Sequence, residues 1–404
     1  MIKARTVINF LFAVLVFAAV AVPAAINVGP QASDFPAYYV TSTRIRAGEA
    51  ADVYVVEHQR EAGRKLSPDI NPLVVEPPYA LFAAAPLSVV PFALAKAVFT
   101  GLLITAMAAA VIVLSRSLLL TNRQTLILIG LVAGSGPVFE IFKISKPIPF
   151  FLLAMMVSLW FLRKNQDYKS GVVAAVCLFK PQFFLPYLLF AAGAGRLRFI
   201  VGCAAAGLAL VVISLPIFGV QGYSNFFALL SQISAHPELA GVEMMPVLKG
   251  QLLRLNISTS LSAALTNGIY GLALLLLVLL GRSKHKLVHW WIPGVVAGFG
   301  SVACFYPYMH LYDLVIIIPS LCFVALSQSK ENRQIIFVLM VLSLIWFMNP
   351  IYVFVHYYWL SHSAPINLHF VALLVLAAIC GGAAIRFKDT DFTFNAETAS
   401  SQDN

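Results

Sequence analysis

The chain is a succession of apolar runs, most close to the ~20 residues that an α-helix needs to cross a bilayer, separated by short cationic loops. No other feature of the sequence constrains the fold as strongly. In hydrocarbon every backbone polar group must be satisfied internally, so runs of this kind fold as packed helices. Composition agrees: 60% of residues are hydrophobic and 11% charged, against roughly 25% charged in a soluble domain. The expected fold class is therefore an all-α polytopic integral membrane protein. The 404 residues read as one transmembrane unit, 1–404, because no stretch looks like a linker, an internal repeat or a low-complexity segment. The net charge of +10 does not point to nucleic acid. Most Lys and Arg fall in short loops, where positive-inside bias accounts for them. Cys177, Cys203, Cys304, Cys322 and Cys380 are scattered through apolar runs. They have neither disulfide nor metal-ligand spacing and read as small packing residues.

Lys3 and Arg5 precede the first run, Val7 to Ile26. It reads as an uncleaved span with a cytoplasmic N-terminus, although Val22-Pro23-Ala24-Ala25 faintly resembles a cleavage region. Asp34 then emerges outside. Residues 27–73 form a first external segment with two amphipathic surface helices, near 36–47 and 52–65, the first ended by Gly48. Glu76-Pro77-Pro78-Tyr79 leads into a half-length apolar run ending near Pro86, which suggests a bent or re-entrant entry. Spans follow at 91–114, 125–142, 150–162, 199–218, 260–280, 288–306, 314–328, 334–352 and 365–385, for about ten crossings in all. Residues 220–258 form a second external segment, and 387–404 a cytoplasmic tail.

The run 171–192 breaks this pattern. If it crossed, every later cationic loop would lie outside, against positive-inside bias. Lys180-Pro181-Gln182 sits in its middle, and a charge beside a helix breaker makes a poor lipid-facing span. Two half-helices meeting at Lys180-Pro181, with both ends inside, restore the bias. Lys180 then points into the bundle and orders the half-helices through Asn or carbonyl partners, rather than snorkelling from an ordinary span.

With sides assigned, five stretches bring polar residues to the outer face: Asp34; Glu76; Lys143 and Lys146; Lys249 and Arg254; and His310 with Tyr312 and Asp313. One acid, one histidine and several cations around one cavity suit a group transfer in which a phosphate leaves and an alcohol attacks. An aspartate at its ordinary pKa of about 3.9 is ionised and can take the hydroxyl proton. His310 and the cations would stabilise phosphate charge. The alternative for Asp34 alone is a solvated loop acid, and for His310 a satisfied interface histidine. Walker-type loops, G-x-G-x-x-G, H-E-x-x-H and paired-cysteine motifs are absent, and Gly134-Ser135-Gly136 lacks the spacing of a nucleophile elbow.

Asp34-Phe35 just after the first span resembles the polyprenol-phosphate-dependent membrane glycosyltransferases of the GT-C superfamily. Four further features, in the same chain order, resemble glycosyltransferase family 87, which includes mannosyltransferases. They are Pro77-Pro78 with the run to Pro86, Lys180-Pro181-Gln182, Leu215-Pro216 closing a span, and Tyr306-Pro307 followed by His310, Tyr312 and Asp313. The resemblance implies a GT-C-like bundle with re-entrant half-helices. It implies an inverting transfer of a sugar, mannose first, from a polyprenyl phosphate to a lipid or glycan acceptor on the extracytoplasmic face of a bacterial inner membrane. Asp34 would be the base and His310 would lie at the donor phosphate or orient substrate. Glu76, Lys143, Lys146, Lys180, Gln182, Lys249, Arg254, Tyr312 and Asp313 would bind donor phosphate or substrate. No metal or other cofactor is implied, and the expected partners are the lipid-linked donor, the acceptor and membrane lipids around a monomer. One departure stands out: Lys146-Pro147-Ile148-Pro149 occupies the place of a Gly-Gln turn carried by many members. Either the lysine supplies the local phosphate contact or the site is altered. The rival readings are a transporter or flippase of polyprenyl-linked glycans and a ligase that moves a whole glycan.

Overall fold

The computed structural model describes residues 4–26, 34–66, 73–236, 245–326 and 368–389, and every regular element among them is a helix. The expected span 334–352 and most of the C-terminal tail lie outside these residues.

Helix α1 (Ala4–Ile26) is apolar along its length. After the corner, α2 (Phe35–Arg46) opens with Pro36 in its first turn, where a missing N–H costs nothing. A 3-10 turn at Ala50–Tyr54 and α3 (Val56–Leu66) complete the segment expected to be external, with helices close to the positions expected there. The half-length run is a five-residue helix, α4 (Pro78–Phe82), and a 3-10 turn at Ala85–Val89. Helix α5 (Phe92–Ser117) is long and apolar.

The single span expected at 125–142 is instead two helices, α6 (Asn122–Ala133) and α7 (Gly136–Ile144), bent by 57°. The local sequence restarts the helix. The Ser135 side chain accepts a hydrogen bond from the Val138 N–H, and Pro137 occupies the new first turn. Helix α8 (Ile148–Arg163) follows.

The run around Lys180 breaks where its sequence suggests. Helix α9 (Asp167–Ala174) passes through a 3-10 turn, Ala175–Phe179, and α10 (Pro181–Gly193) starts beyond Lys180. Its two feet stand together. The start of α9 packs against the start of α11 (Leu197–Ala235), which directly follows the end of α10. The approach is so close that a Cβ on Gly171 would fall 2.0 Å from the Phe199 carbonyl oxygen, and one on Gly202 2.3 Å from that of Tyr168. At the apex the carbonyls on either side of the break are satisfied by tyrosines. Tyr79 donates to Leu178 O at 2.6 Å and Tyr270 to Gln182 O at 2.8 Å, as a backbone irregularity in an apolar interior requires.

Helix α11 continues past a sharp break at Gly219 (φ 62°, ψ 177°), a conformation open essentially to glycine alone. The first part of the expected external segment 220–258 is therefore helical. Helices α12 (Leu248–Arg254) and α13 (Thr259–Ser283) follow. The span expected at 288–306 is not a continuous α-helix. It is α14 (Trp291–Val295), a π turn at Val296–Ser301 and a 3-10 turn at Ala303–Phe305. Residues 290–300 are buried, with Gly294 and Gly298 pressed on Phe190 and Tyr187, so their apolar character reflects protein packing and not lipid contact. A 3-10 segment at Leu311–Ile317 runs into α15 (Ile318–Leu326), and α16 (Leu368–Arg386) closes the described chain.

By length and composition, α1, α5, α11 and α13 can each cross a membrane, and the bent pair α6–α7 makes a fifth. Among the described residues that is four or five candidate spans; about ten crossings are not confirmed, since several apolar runs are short or broken. Leu15, Leu208, Val212 and Leu275 on the long helices are more than half exposed, as lipid-facing side chains are. Cations join the loops: Arg163 donates to Arg116 O and Ser117 O, Arg196 to His285 O and Leu287 O, and Lys284 to Ile385 O and Phe387 O.

Candidate active site

Asp34 stands at the N-cap of α2, where an aspartate ordinarily accepts from the helix's own N–H groups. Here its side chain makes no capping bond and turns to Lys146, with which it forms an ion pair. The corner is fastened by the Asp34 N–H, which donates to Ile144 O at 2.8 Å. Helix α7 ends in Ser145, whose left-handed backbone (φ 61°, ψ 45°) reverses the chain, and the Lys146 N–H reaches back to Ile141 O at 3.0 Å. That reversal aims Lys146 at Asp34. The lysine side chain is 13% exposed and the carboxylate 38%, so the acid keeps an open side. The Lys146 ammonium is desolvated, which favours the neutral amine, but Asp34 and its other neighbours outweigh this and hold its pKa above the usual lysine value.

A second carboxylate lies beneath. Glu76 is buried, and its Oε1 accepts from the Tyr38 hydroxyl at 2.7 Å. Tyr38 is one helical turn past Asp34, so both project from one face of α2. Tyr54 holds the Glu76 carbonyl at 2.8 Å. Burial alone would raise the Glu76 pKa, but Lys146, Lys180 and the Tyr38 hydrogen bond reverse this and hold it below the ordinary value.

The apex of the α9–α10 hairpin supplies the second lysine. Lys180 pairs with Asp313 at 3.2 Å, with side chains 12% and 2% exposed. Its partner is thus a carboxylate from the far end of the chain, where the sequence suggested Asn or carbonyl partners. Tyr312 lies between the lysines, its ring centroid 5.3 Å from Lys146 Nζ and 5.5 Å from Lys180 Nζ. His310 stacks on Tyr312 with centroids 5.1 Å apart. Asp313 Oδ2 accepts from the His310 N–H at 3.0 Å and fixes the turn. Burial, then Lys146 and Lys180, push the His310 imidazole down to about 3. At neutral pH it is therefore uncharged, and it brings a hydrogen-bonding ring to the site rather than a cation.

Asp34, Glu76, Lys146, Lys180, His310, Tyr312 and Asp313 thus meet in one place. Lys143 instead pairs with Glu140 on its own helix at 3.1 Å. Gln182 contributes its backbone carbonyl to Tyr270. Lys249 hydrogen-bonds Tyr308 at 3.0 Å on a different part of the same loop, and Arg254 ends α12. The supports that sequence reasoning passed over are Tyr38 and Tyr54, the two tyrosines that seat Glu76. The i, i+4 spacing of Tyr38 from Asp34 was the available signal. Among the described residues no group of His, Cys, Asp and Glu is placed to hold a metal ion.

The model of glycosyltransferase family 87 matches residues 75–303, more than half of the chain. The match includes Glu76, Lys146, Lys180 and Lys249, and Asp34 and His310 lie on either side of it. Comparison with curated proteins and with solved structures finds no match.

Proposed function

Because the chain belongs to glycosyltransferase family 87, we propose that it is an inverting glycosyltransferase that uses a polyprenyl-phosphate sugar. The sugar, mannose first, passes to a lipid or glycan acceptor at the extracytoplasmic face of a bacterial inner membrane. The observation that carries this reading is the meeting of Asp34, whose carboxylate keeps an exposed side, with the His310–Asp313 loop around two lysines.

In this reading Asp34 accepts the proton of the acceptor hydroxyl as that oxygen bonds to the anomeric carbon. The bond from the anomeric carbon to the phosphate oxygen breaks, and the electron pair leaves with polyprenyl phosphate. The acceptor is thus glycosylated and Asp34 is left protonated, to lose its proton to water. Lys146 must move off Asp34 for the carboxylate to serve as a base, so its ion pair marks a resting arrangement. The neutral His310 ring offers one N–H to the substrate. Glu76, buried and ionised, supports Lys146 from below.

The test is direct. Purified protein in nanodiscs, given a panel of polyprenyl-phosphate sugars and a membrane-lipid extract, transfers sugar from at least one donor. No transfer from any donor, in nanodiscs and in detergent, would contradict the proposal and favour transport of a polyprenyl-linked glycan.

A further inference from the structure

The charges around Asp34 are unbalanced. Asp34, Glu76 and Asp313 are three carboxylates and Lys146 and Lys180 two ammonium groups, while His310 is held neutral. Both lysines are already committed to acids. A lipid phosphate placed among these groups would find both ammonium groups already paired with carboxylates, in a site that screens poorly.

Lys249 is the opposite case. It is 4% exposed, and its ammonium meets no carboxylate among the described residues. Its partners are the Tyr308 hydroxyl at 3.0 Å and the Tyr308 ring, 4.5 Å away at the centroid. A buried ammonium with only a neutral partner is costly unless an anion joins it. Lys249, Gly250 and Gln251 are the buried residues of α12, and the chain turns to the exposed surface at Leu255 and Asn256. Tyr308 and Pro307 are half-buried, so the ammonium sits just beneath an accessible part of the loop. Tyr308 is two residues from His310 along the chain, so their Cα atoms are at most roughly 7 Å apart. One sugar ring bridges such a gap.

We propose that Lys249, seated on Tyr308, binds the phosphate of the lipid-linked donor, and that the sugar reaches from there across the loop to the acid-rich cluster. Lys146 and Lys180 then serve to hold Asp34, Glu76 and Asp313, not the phosphate. The assignment rests on the glycosyltransferase reading for the identity of the donor. The chemistry recognised is a phosphate monoanion on a lipid, which a bilayer phospholipid also carries.

Binding in nanodiscs separates the two sources. The probes are a short-chain polyprenyl phosphate, the matching polyprenol and phosphatidylglycerol, each titrated into wild type, Lys249→Gln, Lys249→Arg and Lys146→Gln. Loss of a charge-assisted contact should weaken polyprenyl phosphate about tenfold or more in Lys249→Gln. Binding of polyprenol and phosphatidylglycerol should stay as in wild type, Lys249→Arg should bind polyprenyl phosphate within about threefold of wild type, and Lys146→Gln should weaken it less than Lys249→Gln does. Tyr308→Leu, which keeps the lysine and removes its seat, should weaken polyprenyl phosphate alone and serves if Lys249→Gln does not fold. Unchanged binding in Lys249→Gln, or loss in Lys146→Gln instead, overturns the assignment. Equal weakening of phosphatidylglycerol also overturns it, in favour of a bilayer-lipid site. Wild-type protein that binds polyprenyl phosphate through Lys249 yet transfers no sugar leaves this site standing and refutes the proposed reaction.

Discussion

His310 shows how a residue type and its state in the fold can part. In the sequence it is a titratable group beside lysines, and in the structure burial and those same lysines keep it neutral to about pH 3. The consequence for stability has a definite sign. Unfolded, the imidazole takes up a proton below its ordinary value near 6.5, whereas the folded protein resists protonation until about 3. As pH falls through that window the unfolded chain binds the extra proton, and the folded state loses up to about 1.4 kcal/mol per pH unit from this group. His310→Gln carries no such penalty. Thermal unfolding in detergent at pH 7, 6 and 5 should show wild type losing more stability than His310→Gln, and parallel losses would contradict the buried, neutral histidine. Tyr38 gives a second residue-level expectation. Tyr38→Phe removes a hydrogen bond to the buried Glu76 carboxylate and should cost about 1.5–3 kcal/mol in the same measurement. An unchanged melting temperature would mean that Glu76 is not held as the structure shows it.

Among the elements, the α9–α10 hairpin brings Lys180 to the site, and the Lys180–Asp313 pair joins its apex to the loop after α14. Removing one partner of a buried pair strands the other, so Lys180→Met or Asp313→Asn alone should cost about 3–5 kcal/mol, with the double variant recovering part of the loss. Additive losses in the double-mutant cycle would show that the pair does not couple the two elements. This hairpin was legible in the sequence because a lysine and a proline in mid-run signal their own break. The bend between α6 and α7 had a signal too, in Ser135 and Pro137, but the run's apolar composition masked it. The irregular stretch from Trp291 to Phe305 had none: composition does not separate a segment buried in protein from one facing lipid. At the site, Asp34 and His310 stood out as polar residues at the ends of apolar runs. Which lysine meets Asp34 did not, since Lys143 and Lys146 differ only by where the left-handed turn at Ser145 aims them.

For the whole molecule, the arrangement places the two feet of the hairpin together and the site at its apex. If the hairpin is re-entrant in a membrane, Lys164→Cys and Arg198→Cys should react with an impermeant maleimide from the same side, and Glu57→Cys from the other. The native cysteines are free, and four of the five are buried, which keeps their background low. Labelling of Lys164→Cys and Arg198→Cys from opposite sides would mean that the run 171–192 crosses, and a site combining Asp34 with His310 at one face would not follow. The most direct test of the chemistry is sugar transfer by Asp34→Asn, with donor binding measured on the same preparation. Loss of a general base should lower the transfer rate by about 10²–10⁴-fold while polyprenyl-phosphate sugar still binds. Transfer at the wild-type rate by Asp34→Asn would contradict the assignment of Asp34 as the base.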